Sequence, residues 1–169
     1  MLIKLSKKDM HTCTVLGNDT VKICEMQGFP PRLENKNQTR EEANIEGYKG
    51  EFAVARLFDL DEPTFNITSD FGADLWWNDS SIDVKTTKTK DLIFDSMEKF
   101  KSDIAVLARP TDQPDVIEVG KWISRIEFEH KHHLHDYGYG ERLVMKYNEL
   151  RDIESLWKQM KIKTLSPRN

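Results

Sequence analysis

The chain reads Ser81-Ile82-Asp83-Val84-Lys85-Thr86-Thr87 near its middle, where apolar and polar side chains alternate. Alternation in a run rich in β-branched residues is typical of a strand with one buried face. Successive side chains of a strand point to opposite faces, so Asp83 and Lys85 share one face, and Ile82 and Val84 share the other. The run predicts a strand that presents an acid and an amine side by side.

A second predicted strand, residues 73–77, comes just before this one. The turn formers Asn78-Asp79-Ser80 separate the two runs, so we expect a β-hairpin. With the turn centred on its last two residues, Asp74 lies opposite Lys85. Asp74 is then a diagonal neighbour of Asp83, with Cβ atoms about 7–8 Å apart or less. The hairpin therefore predicts two carboxylates and one ammonium group on a single face.

This face suits a divalent cation. Mg²⁺ takes carboxylate oxygens, keeps several waters and binds substrate phosphate. The carbonyl oxygen of Val84, next to Asp83, is a further candidate ligand. A bound Mg²⁺ or Mn²⁺ activates water and relieves the charge that builds up when a phosphodiester is cleaved. Lys85 adds a compact positive charge that can hold the water or the phosphate.

Residues 41–60 show a strong helical pattern. One apolar stripe repeats at steps of three and four: Ile45, Tyr48, Phe52, Ala55 and Phe58. Gly47 and Gly50 lower helix propensity, and we attribute them to the close approach of another backbone. Glu51 flanks the stripe and is expected to point back at the sheet, as a metal ligand that acts directly or through water.

Other segments complete a mixed α/β pattern. Residues 64–68, 104–108 and 116–119 predict short strands, and residues 148–161 predict a helix. This order predicts an α/β domain of the α+β kind, with helices packed on a mixed sheet.

The N-terminal part predicts a helical extension. Ser6 and Asp9 form a capping pair, Gly17-Asn18-Asp19 interrupts the helical pattern that follows, and Gly28-Phe29-Pro30-Pro31 ends it. We assign residues 1–40 to this extension and residues 41–169 to the main part of one compact domain.

Composition indicates a globular intracellular protein, which we expect in the cytoplasm. Hydrophobic residues make up 38% and charged residues 32%, and no apolar run reaches the roughly 18 residues that cross a bilayer. The net charge of −4 argues against a protein that coats nucleic acid, whereas a nuclease needs only local phosphate contacts. Cys13 and Cys24 are expected to be free thiols.

Three segments together resemble the PD-(D/E)xK nuclease superfamily, whose fold is restriction-endonuclease-like. They are residues 47–55, residues 72–74 and residues 82–87, within a region of resemblance that covers roughly residues 44–119. The resemblance implies a core of a helix, three antiparallel strands, a helix and a further strand. The chain also resembles small nuclease-like proteins of phages and prophages, which place a helical segment before the G-x-x-G-E helix.

The resemblance implies metal ligands at Glu51, Asp74 and Asp83, with Lys85 completing the catalytic set. Ala73 stands where the superfamily often has proline. The implied function is metal-dependent endonucleolytic hydrolysis of nucleic acid, DNA before RNA. Such nucleases often dimerise to cut both strands, so a homodimer stays open.

Two alternatives come from other classes of protein. One is a nuclease fold that binds DNA or a protein partner without turnover. The other is a structural phage or host protein in which the four residues form surface ion pairs. If the protein binds nucleic acid, with or without cleavage, Lys88 and Lys90 are candidates for contacts with the backbone phosphates.

A rival metal site lies in the histidine-rich stretch: His130, His132, His133 and His135. Their spacing matches no zinc pattern, and we favour a solvated loop. Trp76 and Trp77 are candidates for base stacking, but neighbours on one strand face opposite ways, so at least one is expected in the core.

Overall fold

The computed structural model describes residues 1–28, 38–64, 73–138 and 140–165. In chain order its elements are β1 (Leu2–Lys4), α1 (Lys7–Met26), α2 (Arg40–Phe58), β2 (Leu75–Trp77), β3 (Ser80–Thr86), β4 (Leu92–Phe94), β5 (Ile104–Pro110), β6 (Val116–Ser124), α3 (Arg125–Lys131), β7 (His133–Asp136), β8 (Glu141–Met145), a 3₁₀ turn (Tyr147–Glu149), β9 (Arg151–Asp152) and α4 (Ile153–Leu165).

The larger sheet has the strand order β1-β6-β5-β3-β2, and β9 pairs with β6 as well. β3 and β5 run parallel, while the other neighbours in this sheet are antiparallel. The mixed α/β class is therefore confirmed, as are the four predicted strands that lie within the described residues. Of the predicted strand 64–68, only Thr64 is described, and it has no regular structure.

The larger sheet is buried on both faces because alternate residues of β5 enter different cores. Val106 and Ala108 join Phe52 and Ala55 of α2 in one apolar cluster. Ala105 and Leu107 join a second cluster under the smaller sheet, which has the order β4-β8-β7. The helices and the small sheet thus cover opposite faces, which explains why β5 reads as a continuous apolar run.

Residues 87–103 differ from the core that the resemblance implies. All of them are described, and they contain β4 where the resemblance implies a helix. Phe94 of β4 stacks on Phe100 at a centroid distance of 4.4 Å, and both are buried. Burial of alternate side chains against the second cluster favours a strand here.

α1 is one continuous helix, so the predicted interruption at Gly17-Asn18-Asp19 is wrong. A Cβ on Gly17 would lie 2.6 Å from Cγ1 of Ile45, so the glycine serves close packing of α1 on α2. The predicted cap is confirmed, since the Ser6 hydroxyl accepts from the Asp9 amide and the Asp9 carboxylate accepts from the Ser6 amide. α1 ends at Met26, ahead of Gly28, while Phe29-Pro30-Pro31 lies outside the described residues.

α2 confirms the predicted helix at residues 41–60, and one of its two glycines meets the sheet. A Cβ on Gly50 would overlap the Thr86 hydroxyl and lie 3.1 Å from Cβ of Thr86, so the sheet does approach closely there, but through side-chain atoms and not through the backbone that we expected. A Cβ on Gly47 would meet nothing within 4 Å, and the explanation is wrong for that residue.

The C-terminal third departs most from expectation. α4 begins at Ile153, later than predicted, because Arg151 and Asp152 pair with β6 instead. The histidine-rich stretch is the end of α3 and the strand β7, so the predicted loop is wrong.

Two further expectations concern cysteines and membrane spans. Cys13 and Cys24 are free thiols, buried and half-buried, as expected. Within the described residues, no helix is both long and apolar enough to span a membrane.

Candidate functional site

The β2–β3 hairpin has a register two residues away from the predicted one. Leu75 pairs with Ile82 and Trp77 with Ser80, because the turn consists of Asn78 and Asp79 alone. Asn78 adopts a left-handed φ of 51°, a conformation that asparagine tolerates. The expected pairing of Asp74 with Lys85 is therefore wrong.

The shift does not change which residues share a face of the hairpin. Side-chain direction in a strand repeats every second residue, so a shift by two leaves every residue on its predicted face. Extended by one pair, the observed register puts Asp74 opposite Asp83. The two carboxylates are thus brought closer than the diagonal arrangement predicted.

Asp74 closes the open end of the hairpin through its own side chain. Its amide donates to the Ile82 carbonyl at 2.9 Å, and its Oδ2 accepts from the Val84 amide at 2.6 Å. Desolvation and the neighbouring Asp83 raise the pKa of Asp74 to about 6, whereas the Val84 amide lowers it. Asp74 is nevertheless exposed as a residue, so water reaches it and limits the penalty from burial.

Asp83 is 4% exposed and forms an ion pair with Lys85. The Lys85 ammonium donates to Oδ2 at 2.9 Å and lies 2.7 Å from Oδ1. The short contact lacks hydrogen-bond geometry, so Oδ1 is a buried acceptor without a donor. Desolvation raises the pKa of Asp83, and the Lys85 charge opposes that rise.

Lys85 is held from two sides. Besides its ion pair with Asp83, its Nζ lies 4.9 Å from the centroid of the Phe94 ring. Its side chain keeps 39% of its surface exposed, so solvent reaches Lys85 although Asp83 is buried. β4, which the sequence did not predict, therefore supports Lys85.

Glu51 joins the cluster from α2. It is half-buried, and its pKa is raised well above the usual value by desolvation first, then by the charges of Asp74 and Asp83. Lys85 lowers the same pKa. The charges of Asp74, Asp83 and Lys85 thus all act on Glu51, so the four predicted residues interact electrostatically.

The donor set suits a hard divalent cation, since three carboxylates and the nearby Val84 carbonyl are all oxygen ligands. Asp83 Oδ1 is buried and makes no hydrogen bond, and its 2.7 Å contact with the Lys85 ammonium is one that a metal cation could replace. As the side chains stand, however, the described part of the chain contains no group of three His, Cys, Asp or Glu placed to hold a metal ion. Coordination would therefore require side-chain movement, with Lys85 leaving Asp83.

Tyr48 is a neighbour of the site that the sequence assigned only to the apolar stripe. Its hydroxyl lies 3.1 Å from the Thr20 hydroxyl of α1. Burial raises the pKa of Tyr48, and the charges of Glu51 and Asp74 add to the rise. The available signal was its position three residues before Glu51, which places both on the same face of α2.

The other sequence candidates lie apart from this cluster. Lys88 forms an ion pair with Glu46 at 3.2 Å, and Lys90 is exposed. Trp77 packs against the main core and Trp76 is 56% exposed, which confirms that at least one of the pair serves packing.

The histidines make separate contacts. His130 and His132 meet backbone carbonyls of α3, and His133 lies 2.8 Å from Glu149. The ring of His135 packs edge-on against Tyr137. In the described residues these rings do not converge on a metal site.

A family profile described as "Family of unknown function (DUF5843)" matches residues 2–97. The chain belongs to DUF5843. The match runs from β1 through β4 and contains Glu51, Asp74, Asp83 and Lys85. In this DUF5843 member, α1 and the acidic hairpin are thus parts of one family unit. No curated protein and no solved structure matches the chain.

Proposed function

We propose that this DUF5843 chain is a Mg²⁺- or Mn²⁺-dependent endonuclease of the PD-(D/E)xK kind, acting on DNA before RNA. The observation that carries the proposal is the meeting of Glu51, Asp74 and Asp83 beside Lys85. The charges of Asp74 and Asp83 raise the pKa of Glu51, and the charge of Asp83 raises that of Asp74, at a cost in stability that a bound divalent cation would offset.

Each residue has a role in this proposal. Asp74, Asp83 and Glu51 would hold the cation, with the Val84 carbonyl as a further ligand. When bound, the cation supplies an acidified water and a Lewis acid for the phosphate. Asp74 is oriented by the Val84 amide at 2.6 Å, so its second carboxylate oxygen is left to face the cation.

Lys85 would meet the negative charge of the substrate. Its ammonium group lies on the exposed side of Asp83 and is compact enough to contact a single phosphate oxygen. Lys88 lies beyond the end of β3, where it would contact the next part of the nucleic-acid backbone. Lys90 is a second candidate for that contact. A homodimer in the cytoplasm would suit cleavage of both DNA strands.

The proposal is tested by plasmid cleavage with Mn²⁺. Wild-type protein should convert supercoiled DNA to nicked and linear forms, and EDTA should stop the reaction. Asp83→Asn and Lys85→Met should each lower the rate by at least about 100-fold, as expected for groups that stabilise the transition state. Asp79→Asn is the matched control, because Asp79 is an exposed carboxylate in the turn of the same hairpin.

Equal cleavage by the wild type and by Asp83→Asn would refute the proposed activity, since a contaminating nuclease would then explain the cleavage. A second measurement is the melting temperature with added Mn²⁺, which should rise for the wild type and the Asp79→Asn control but much less for Asp83→Asn. DNA binding in a gel-shift assay without cleavage under any cation would instead identify a silent DNA-binding module.

A further inference from the structure

A cavity of about 730 Å³ lies apart from the acidic cluster, between the end of α2, the turn of the β2–β3 hairpin and α4. Its lining contains three tryptophans and three charged side chains: Trp76, Trp77, Trp157, Asp59, Asp61 and Lys161. Its volume falls in the range of about 300–1,000 Å³ that small-molecule sites occupy. Three of the four tryptophans of the chain line it.

The electrostatics of the cavity favour a cation. Asp59 and Asp61 are both exposed, and in the described residues no ion pair joins either one to a cationic side chain. Asp59 is the C-cap of α2, so the negative end of the helix dipole lies at the same place. Tryptophan faces also carry negative potential, which attracts ammonium groups.

One tryptophan already holds such a group. The Nζ of Lys161 lies 4.6 Å from the centroid of the Trp157 ring, within the range of a cation–π contact. Lys161 is exposed and comes from the turn of α4 that follows Trp157. A flexible, exposed side chain is an exchangeable occupant, and an external ammonium group has the same charge and geometry.

We propose that this cavity binds a quaternary or otherwise alkylated ammonium group, with Trp157 providing a ring face and Asp59 and Asp61 providing the counter-charge. Alkylation favours this site over a bare ammonium ion, because methyl groups pack on aromatic rings and give up little hydration. The group belongs either to a free small molecule or to a trimethylated lysine of a peptide. The site does not depend on the nuclease proposal.

The test is titration of the full chain with choline chloride, followed by tryptophan fluorescence and calorimetry. The matched control ligand is 3,3-dimethylbutan-1-ol, a neutral molecule of the same shape. Saturable binding of choline with a dissociation constant below about 10 mM, at least about 10-fold tighter than that of the neutral analogue, is the expected result. Tryptophan emission should report it, since only Trp122 of the four lies outside the cavity lining, 4% exposed in the core.

Three variants locate the binding. Trp157→Leu should weaken choline binding by at least about 5-fold, and so should Asp59→Asn combined with Asp61→Asn. The second variant tests the site without altering a packed side chain, and asparagine tolerates the left-handed φ of 55° at position 59. Lys161→Met should bind choline more tightly, because it removes the competing ammonium group. Glu129→Gln, an exposed change on α3, should have no effect.

A second arm compares a trimethyl-lysine peptide with the same unmodified peptide. Tighter binding of the methylated peptide than of choline identifies a peptide as the source, and the reverse identifies a small molecule. Equal binding of choline and its neutral analogue would overturn the proposal. So would binding that is unchanged in both the Trp157 and the Asp59/Asp61 variants, or a Lys161→Met protein that binds more weakly than wild type.

Discussion

Two alanine substitutions in one helix separate helix propensity from tertiary contact. Gly47→Ala and Gly50→Ala both lie inside α2, three residues apart. In each case the higher helix propensity of alanine should by itself add up to about 1 kcal/mol to the free energy of unfolding. Only the change at position 50 brings a new methyl group against the sheet.

The difference in stability between the two variants follows from the contacts that a Cβ at position 50 would make. A Cβ on Gly50 would overlap the Thr86 hydroxyl and lie 3.1 Å from Cβ of Thr86 and 3.3 Å from Cβ of Ala108. Rotation of Thr86 relieves the overlap, but the two Cβ contacts stay because they are fixed to β3 and β5. Overpacking of this kind costs about 1–3 kcal/mol. Because the gain in propensity is common to both variants, Gly50→Ala should be less stable than Gly47→Ala by that amount.

Urea unfolding measures this difference as a shift in midpoint at constant slope. The Gly50→Ala protein should melt about 2–4 °C lower per kcal/mol, given the size of the chain. Adding Thr86→Ala should restore part of the loss in stability, since it removes the hydroxyl that the new methyl group meets. Mn²⁺ should also stabilise Gly50→Ala less than Gly47→Ala, because the change displaces the neighbouring Glu51.

Equal stability of the two variants would refute the reasoning, since it would mean that Gly50 does not hold α2 against β3. Additive effects of Gly50→Ala and Thr86→Ala would also contradict it, because residues in contact are expected to show coupling.

Three more changes test the structure elsewhere. Gly17→Ala should lower the unfolding free energy by about 1–3 kcal/mol in urea, because its Cβ would lie 2.6 Å from Cγ1 of Ile45; a neutral result would contradict the close packing of the two helices. Arg56→Gln should lower the free energy of unfolding by about 1–2 kcal/mol. This is the lower end of the range for removing the partner of a buried charge, because Arg56 itself is partly exposed. Arg56 holds the pKa of Asp9 at about 2, below its usual 3.8, so this stabilisation is present above about pH 4 and lost as the pH falls towards 2. The free energy of unfolding should therefore fall less steeply between about pH 4 and pH 2 in the variant than in the wild type. Glu51→Gln should raise the melting temperature of the cation-free protein at pH 7, since it removes a charge that desolvation and two carboxylates disfavour, and a lower melting temperature would contradict that account.

Local patterns predicted the elements that hold the candidate site. The helical stripe around Glu51 and the alternation around Asp83 are properties of short segments, and both elements form where the sequence placed them. The face shared by Asp83 and Lys85 also followed from strand geometry alone. Periodicity was sufficient for this part because the helical stripe and the strand alternation are set by the residues of each segment itself.

Contacts between distant segments were beyond sequence reasoning. Gly17 was interpreted as a helix breaker, but it serves a contact with Ile45 that no local pattern reveals. The strand β7 forms because Leu134 pairs with Leu143 across the small sheet, although its residues read as a solvated loop. The predicted hairpin register was wrong because the turn is centred on Asn78 and Asp79 and not on Asp79 and Ser80, and these neighbouring turn formers do not by themselves decide between the two positions.

The candidate site divides in the same way. The four residues and their common location followed from the sequence, whereas their present partners did not. The contact of Lys85 with the Phe94 ring depends on β4, and the contact of the Tyr48 hydroxyl with Thr20 depends on how α1 packs.

The packing of the first 26 residues has a practical consequence for any attempt to shorten the protein. β1 supplies an edge of the main sheet by pairing with β6, and the buried Asp9 of α1 neutralises Arg56 of α2. Deletion of this segment would leave an uncovered groove along Ile45 and an open strand edge, both prone to self-association. A shortened chain that starts at the second helix should therefore precipitate or bind chaperones, and trimming experiments should keep the opening strand and helix intact.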